Sequence, residues 1–571
     1  MVPWALCIAL TATLCGCLDS TREEGPTTAP AAASDLVSQG EPFARGVEQV
    51  TEGVYVAIGY GLANSVLLEG TDGVVIVDAM EGRPQAEAVW AAFREITSKP
   101  VKALVLTHNH ADHVFGGQVF TGGRDDIPVY AHETTGEHID RIISVVRDAT
   151  YTRSMRMFGQ ALPDTSFVNC GIGPRLDYHA ENMALARPTA TFSDSLEVTV
   201  AGLRIVLFHN PGETPDQIAV WLPDKKVLLP ADNIYRAFPN LYTIRGTPYR
   251  DVMEWVASLD RMRDLGAEFL VPSHTRPLSG EDAIAETLTA YRDAIQFVHD
   301  QTVRGLNLGW TPDEIVERVR LPSHLADHPW LQEYYGTVAW SARGVFDGYL
   351  GWFDGDATSL NPLAPTERAR RYSESFTRGR PLAEQAVDAL RGREYQWAAE
   401  LARMWTRLEP NSPEARNTLA ACFEGLASEQ QNANARNYYL TQASEWRGSL
   451  RITPPDASAP PDEFVDSLPI DAFMRAMPTR LDPEKAGTIN EIVLFHFTDL
   501  GMDYTVHVRR GVAEVRPRRS ANPDMRITTT TTTWKRIATN KANPALAFAA
   551  GEVQVDGGIV RVVNFLTLFE R

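Results

Sequence analysis

At 571 residues the chain is too long for one hydrophobic core, and about two to four domains are expected. Its 44% hydrophobic and 22% charged residues describe an ordinary water-soluble globular protein, while a formal net charge of -19 argues against nucleic acid or any other polyphosphate partner. The five cysteines exclude a disulfide-stapled fold: Cys7, Cys15 and Cys17 crowd the first segment, and Cys170 and Cys422 sit in no CxxC pattern.

Residues 4–17 are apolar, too short to span a bilayer and suited to a signal-peptide core. Leu14-Cys15-Gly16-Cys17 resembles a bacterial lipobox in which Cys17 would be acylated. The expectation is an exported chain, periplasmic or anchored to the outer membrane by that lipid alone, with a signal peptide over 1–17. Residues 20–39, rich in Thr, Ala, Pro, Ser and Glu, have little to bury and read as a disordered tether within a linker over 18–44.

Short apolar runs at 54–58, 65–68 and 74–77 predict successive strands, separated by the stretch Gly59-Tyr60-Gly61-Leu62-Ala63-Asn64 and by a turn at 70–73. Asp78 closes the third strand, where it can accept from a ligand histidine or simply end the strand in a turn. A helix over 84–96 follows, then a buried strand at 103–106. Straight after that strand come His108, His110, Asp112 and His113, followed by Gly116-Gly117. Metal-competent side chains at this density are rarely buried without a cation, and imidazole mixed with carboxylate suits zinc, iron or nickel better than magnesium or calcium. The HxHxDH spacing lets the first two histidines face one metal while Asp112 and His113 face a neighbour, which suggests a dinuclear site.

Runs at 196–200 and 203–208 predict a hairpin, and two more strands at 218–222 and 226–229 flank the turn Pro223-Asp224. Glu213 precedes this pair and Asp232 follows it, so both fall on the rim that carries the histidines. The apolar run 269–272 delivers His274 to its own end. Ligand candidates at the carboxyl ends of strands, in an alternation of strand and helix, are what layered α/β folds place at their sites.

Residues 45–280 resemble the metallo-β-lactamase superfamily, through THNHADH at 107–113, PGET at 211–214, PAD at 230–232 and PSH at 272–274. Many members carry histidine where this chain has Glu213, and the carboxylate points to the zinc-dependent alkylsulfatase branch. GYGLAN at 59–64, MFG at 157–159, NLYTIRG at 240–246, YYG at 334–336 and YLGWFDG at 349–355 agree. The resemblance implies an α/β fold, specifically an αββα sandwich, with two zinc ions between its sheets. One zinc would be held by His108, His110 and Glu213, the other by Asp112, His113 and His274, with Asp232 as the bridge. In that branch the bridging position is usually Glu, so the reach here is shorter by one methylene. Asp112 and Asp232 are the carboxylates expected to serve the chemistry as well as the metal.

Beyond 280 the pattern turns helical. Residues 282–303, 312–319 and 330–349 carry apolar side chains at helical spacing, and 389–411 with 415–439 read as tetratricopeptide-like hairpins. Hairpins of this kind bury a face only against a neighbour, so the helical domain over 281–451 is expected to form a homodimer, as the resemblance also implies. A proline-rich linker spans 452–463, and from 464 to 571 apolar runs at 491–497 and 504–508, a threonine tract at 528–533 and a final apolar stretch look like an α+β sterol-carrier-like domain. Phe548, Val563, Phe565, Leu566, Leu568 and Phe569 can line a tunnel there or fill the domain's core.

A charged site beside a tail-binding module fits an alkyl sulfate such as dodecyl sulfate, a small amphiphile. Arg245 is the candidate to fork onto the sulfate oxygens, with Asn240 as a further donor. The rival readings are another hydrolase of the superfamily, such as a lactonase, β-lactamase or thioesterase, and a non-catalytic lipid-binding surface protein with a vestigial metal site.

Overall fold

A computed structural model describes residues 31–144, 146–375 and 379–569. The expected signal peptide and the acylation site at Cys17 lie outside the described residues. The expected tether is partly structured: Ala31–Gly40 is a helix, continued by a short turn of helix at Glu41–Phe43. Leu36 and Phe43 are buried, and the Leu36 carbonyl accepts from Asn169 Nδ2 at 2.8 Å. Two apolar anchors give this polar segment something to bury, which composition alone did not reveal.

Two sheets face each other. The first has seven strands in sequence order, β1 (Gly46–Thr51), β2 (Val54–Ile58), β3 (Ser65–Glu69), β4 (Val74–Val77), β5 (Val101–Val105), β6 (Val129–His132) and β7 (Ala190–Phe192), antiparallel up to β4 and parallel from there on. The second has six, β8 (Ser195–Val200), β9 (Leu203–His209), β10 (Ile218–Leu222), β11 (Val227–Leu229), β12 (Phe269–Leu270) and β13 (Leu278–Ser279), with the parallel pair at β11 and β12. Period-two alternation decides which residues meet. Val75, Val77, Ala103 and Val105 point inward onto Leu207, Val220 and Val271, while Val74, Ile76 and Leu104 point outward onto Val89 and Phe93 of the helix Arg83–Arg94. The outer face of the second sheet, through Ala219, Trp221 and Leu228, packs on the helices Val252–Arg263 and Glu281–Asn307. The result is an αββα sandwich.

The long helix Glu281–Asn307 buries Ile284, Leu288, Tyr291, Ile295 and Val298, a spacing of alternate threes and fours that keeps one stripe on the sandwich. The helix expected over 330–349 forms only from Val338 to Leu350. Ahead of it the chain is pinned across the segment after β11: Gly336 N–H donates to the Phe238 carbonyl and Phe238 N–H to the Gln332 carbonyl. A Cβ at Gly336 would lie 2.0 Å from the Pro239 carbonyl oxygen, so glycine is required at this crossing. Thr337 then caps the helix by accepting from Trp340 N–H. The helices Leu382–Arg391, Tyr395–Leu408, Pro413–Ser428 and Ala433–Arg447 complete a largely helical region.

The C-terminal part is α+β. Its five-stranded sheet packs Phe495, Phe497 and Val506 against helical residues Ile470, Met474, Trp534 and Phe565. The threonine tract splits: Thr529 ends a strand, and Thr530 caps the helix Thr531–Ala538. Of the residues expected to line a tunnel, Leu566 and Phe569 border a cavity. Phe565 and Leu568 are buried in this core, but Phe548 and Val563 are 40% and 52% exposed and lie outside it.

Candidate metal centre

Every candidate ligand sits at one rim of the sandwich. His108, His110, Asp112 and His113 follow β5, Glu213 lies between β9 and β10, Asp232 follows β11, and His274 follows β12. They form two groups, His108 with His110, Glu213 and Asp232, and Asp112 with His113 and His274, whose ligand atoms lie within 4.8 Å of one another in each group. Asp232 Oδ2 stands 3.6 Å from His108 Nε2, 3.4 Å from His113 Nε2 and 3.2 Å from His274 Nε2, so it reaches both groups despite its shorter side chain. Two ligands at about 2.0–2.2 Å from one zinc at a tetrahedral angle stand roughly 3.3–3.6 Å apart. The spacing about Asp232 is that of a coordination edge.

The donor chemistry fits zinc as well. Buried His113 Nε2, Glu213 Oε2 and Asp232 Oδ1 have no hydrogen-bond partner among the described residues, a costly arrangement unless a cation takes their lone pairs. Burial lowers His108 to about 4, with the neighbouring His113 adding to the shift, and burial and the Arg245 charge hold His110 well below the usual histidine range. Both are neutral imidazoles, the ligating form. Burial pushes Glu213 up to about 7, with Arg250 opposing and Asp232 adding to the rise. Burial also works against the Asp232 carboxylate, but the positive charge that the neighbouring carboxylates sustain on His274 and His113, a charge that a bound cation would replace, holds it well below the usual carboxylate range.

Hydrogen bonds behind the ligands set which ring atom faces inward. His113 Nδ1 donates to Asp78 Oδ2 at 2.7 Å and His274 Nδ1 to the Leu62 carbonyl at 3.0 Å, which turns Nε2 of each ring inward, that of His274 to within 3.2 Å of Asp232 Oδ2. Asp78 also accepts from Thr107 N–H, Thr107 Oγ1 and Ser273 Oγ, and so ties the loop that carries His108 to His113 to the loop that carries His274. Thr107 Oγ1 in turn faces His108 Nδ1 at 3.0 Å. Asn64 at the end of GYGLAN donates to the Pro272 and Thr275 carbonyls and fixes the loop that carries His274. Asp78, Ala231 and Thr275 all adopt positive φ, at 63°, 54° and 72°, backbone strain concentrated where the loops must converge.

Sequence reasoning missed Arg250. It is 4% exposed, and its Nη1 donates to Glu213 Oε1 at 2.6 Å and to the Asn240 carbonyl at 2.6 Å. A carboxylate in place of an imidazole adds a negative charge to a buried site, and Arg250 offsets it while leaving Glu213 Oε2 free. No local motif marks this arginine, because its partner lies 37 positions away. Tyr335, the second tyrosine of YYG, also lines the site cavity.

That cavity measures about 120 Å³. His110, Asp112, Asp232, His274, Arg245 and Tyr335 line it together with apolar Leu62, Phe115, Phe158, Ile172 and Leu176. Arg245 Nη2 lies 2.9 Å from His110 Nε2. Ligation through His110 Nδ1, the atom that faces His108, puts the ring hydrogen on Nε2. Guanidinium only donates, so that tautomer withdraws its acceptor and frees Arg245 for an anion in the cavity. Asn240 is not among the cavity-lining residues: its carbonyl accepts from Arg250, its N–H donates to Tyr235 Oη, and both side-chain amide atoms are buried without a partner among the described residues.

Comparison with known proteins gives the same outline. Residues 58–274 match the Metallo-beta-lactamase superfamily, 311–449 the family described as Alkyl sulfatase dimerisation, and 458–571 that described as Alkyl sulfatase C-terminal. The chain is 38% identical over 522 residues to a linear primary-alkylsulfatase of Pseudomonas sp., covering 88% of this chain and 98% of that one. It is 29% identical over 540 residues to an (R)-specific secondary-alkylsulfatase of Pseudomonas sp., covering 92% and 81%. The solved structure of the stereoselective inverting sec-alkylsulfatase Pisa1 from Pseudomonas sp. superposes with a TM-score of 0.85 at 27% identity, over 92% of this chain and 85% of that one.

Proposed function

The chain belongs to the metal-dependent alkylsulfatases of the metallo-β-lactamase superfamily, and from that premise we propose that it hydrolyses linear primary alkyl sulfates of the dodecyl sulfate type. The observation that carries this reading is the cavity itself, where the ligand set and Arg245 share the lining with aliphatic and aromatic side chains. A sulfate head and an alkyl tail match those two kinds of lining. The 38% identity to a primary-alkylsulfatase over 98% of its length supports the primary class over the secondary one.

His108, His110 and Glu213 would hold one zinc and Asp112, His113 and His274 the other, with Asp232 between them. When bound, the pair supplies a water that ionises near neutral pH and positive charge beside the ester. Arg245 forks onto the sulfate oxygens, and Tyr335 lines the same cavity beside it. Asp112 lines the cavity and accepts the proton of the attacking water at a carboxylate oxygen. The water oxygen bonds to carbon as the carbon–oxygen bond to sulfate breaks, and the bonding pair leaves with the sulfate. Sulfate is a very weak base and departs unprotonated, whereas an alkoxide would need an acid to leave, so attack at carbon suits this site.

Hydrolysis of dodecyl sulfate in water enriched in heavy oxygen tests substrate and route together. Label in the dodecanol is expected; label in sulfate removes the carbon-attack route, and no sulfate release removes the substrate. A β-lactam and an acyl lactone run alongside address the rival hydrolases.

The same proposal makes the C-terminal domain a sterol-carrier-like module for the alkyl tail, supported by the apolar cavity that Leu566 and Phe569 border. It also makes the enzyme a homodimer joined through its helical region. There Tyr349, Leu350, Trp352, Leu360 and Leu363 are exposed, with Trp352 at 74%, an apolar surface that a second copy would cover.

A further inference from the structure

The site cavity has a larger neighbour. A second cavity of about 200 Å³ lies between the sandwich and the C-terminal domain, bordered by Met183 on one side and by Phe473, Met477, Trp534 and Phe569 on the other. Arg147 and Tyr178 line both cavities. The connecting segment does the same over three residues, with Pro455 at the site cavity and Ala457 at the second. Phe115, in the wall of the first, meets the ring of Phe464, in the wall of the second, at 6.0 Å between centroids. The partition is therefore about one side chain thick.

Arg147 is the polar member of that partition. It opens the helix Arg147–Met157, and its Nη2 donates to the Pro455 carbonyl at 2.6 Å and reaches the Asp456 carbonyl at 3.4 Å. Hydrogen bonds to loop carbonyls are a modest hold, since water can replace either partner. The side chain is 24% exposed, so its charged head has a way to solvent while the aliphatic stem stays against apolar surface. Tyr178, by contrast, is held by ring contacts to Phe115 and Tyr151.

We propose that the two cavities form one path for the alkyl tail of the substrate, closed at rest by the hold of Arg147 on the connecting segment, and that this arginine sets how long a tail the enzyme favours. The inference rests on the alkyl sulfate reading above. A tail confined to the smaller cavity leaves its end in water or folded back. Each methylene that crosses the partition leaves water and gains roughly fourfold in affinity.

The test compares the zinc-loaded full-length protein with its Arg147→Leu and Ala472→Trp variants. Ala472 borders the second cavity, and a tryptophan there would fill it. The dodecyl-to-hexyl ratio of kcat/KM is expected to rise about threefold or more in Arg147→Leu and to fall by a similar factor in Ala472→Trp, since each methylene admitted or excluded is worth roughly fourfold. A ratio within about twofold of the parent in both variants, less than one methylene's worth, overturns the proposal. Calorimetric binding of dodecan-1-ol supplies a readout that needs no turnover, and its affinity should weaken in Ala472→Trp. If no alkyl sulfate is cleaved but dodecanol binding still responds to Ala472→Trp, the substrate assignment falls and the tail path stands. If dodecyl sulfate is cleaved but dodecanol binding and the ratio ignore both variants, the path falls and the assignment stands.

Discussion

Glu213 and Arg250 meet at 2.6 Å with both side chains 2% exposed, and that pair is the least replaceable contact behind the metal ligands. Removing one partner of a buried ion pair costs about 3–5 kcal/mol, because the other charge stays buried without compensation. Arg250→Met is therefore expected to lose close to one zinc per chain with most of the activity, and Arg250→Lys to retain part of both. Elemental analysis beside turnover checks this, and full zinc content in the Met variant would show that Glu213 needs no counter-ion. Glu81 offers a pH test. Its Oε1 accepts from Leu62 and Asp177 N–H, and burial raises it to about 8 from an ordinary carboxylate value of 4.5, with the Asp112 charge adding to the rise. A folded-state value above the unfolded one means that the folded chain keeps a proton which the unfolded chain releases, so stability falls as pH rises from 4.5 toward 8. Glu81→Gln keeps the acceptor and removes the titration. Its melting temperature should exceed that of the parent at pH 8 and approach it at pH 5, and a pH-independent difference would contradict this account.

At the scale of elements, β-strands deliver the ligands but the loops after them aim those ligands, and the loops are held by specific close contacts. The PGET loop is an example. Glu213 N–H donates to Asn233 Oδ1, Asn233 Nδ2 donates to the Asn210 carbonyl, and Trp255 Nε1 donates to the Asn233 carbonyl. A Cβ at Gly212 would stand 2.2 Å from Asn233 Oδ1 and 2.8 Å from the Trp255 ring. Gly212→Ala should accordingly displace Glu213 and lower zinc content without unfolding the sandwich, as read by elemental analysis beside circular dichroism. A fully loaded Ala variant would mean that the loop tolerates the shift. The helix expected over 330–349 shows the converse. Its first residues carry a helical apolar pattern, but backbone pairing with 238 and the crossing at Gly336 win, and this places Tyr335 in the cavity wall.

For the whole molecule, the sandwich and the C-terminal domain are not independent. Phe464, just after the connecting segment, is 4% exposed and belongs to the core on the outer face of the first sheet. Cutting the chain ahead of Phe464 would open that core as well as remove the tail-binding surface. Losses in a truncated enzyme would then mix stability with selectivity, and point variants in the partition read selectivity alone. The helical region gives the assembly prediction: light scattering should return twice the chain mass, and Trp352→Glu, which places a charge on the most exposed of its apolar residues, should shift the mass toward one chain. A monomer mass for the parent would remove the dimer.

The amino-acid order carried the ligand set unusually far. Strand-end positions are local: an apolar run followed by His, Asp or Glu marks a rim residue wherever the sheet lies, and the runs before His108, Asp232 and His274 do so. Residues that act by contact across the fold left no such mark. Arg250 on Glu213, Tyr335 in the cavity wall, and Arg147 between two cavities depend on segments 37 to 308 positions apart coming together, and Leu36 and Phe43 order a segment whose composition reads as unstructured. Periodicity and spacing encode what a residue faces within its own element; which neighbour it meets, and whether that neighbour neutralises a charge or closes a passage, is decided only when the layers pack.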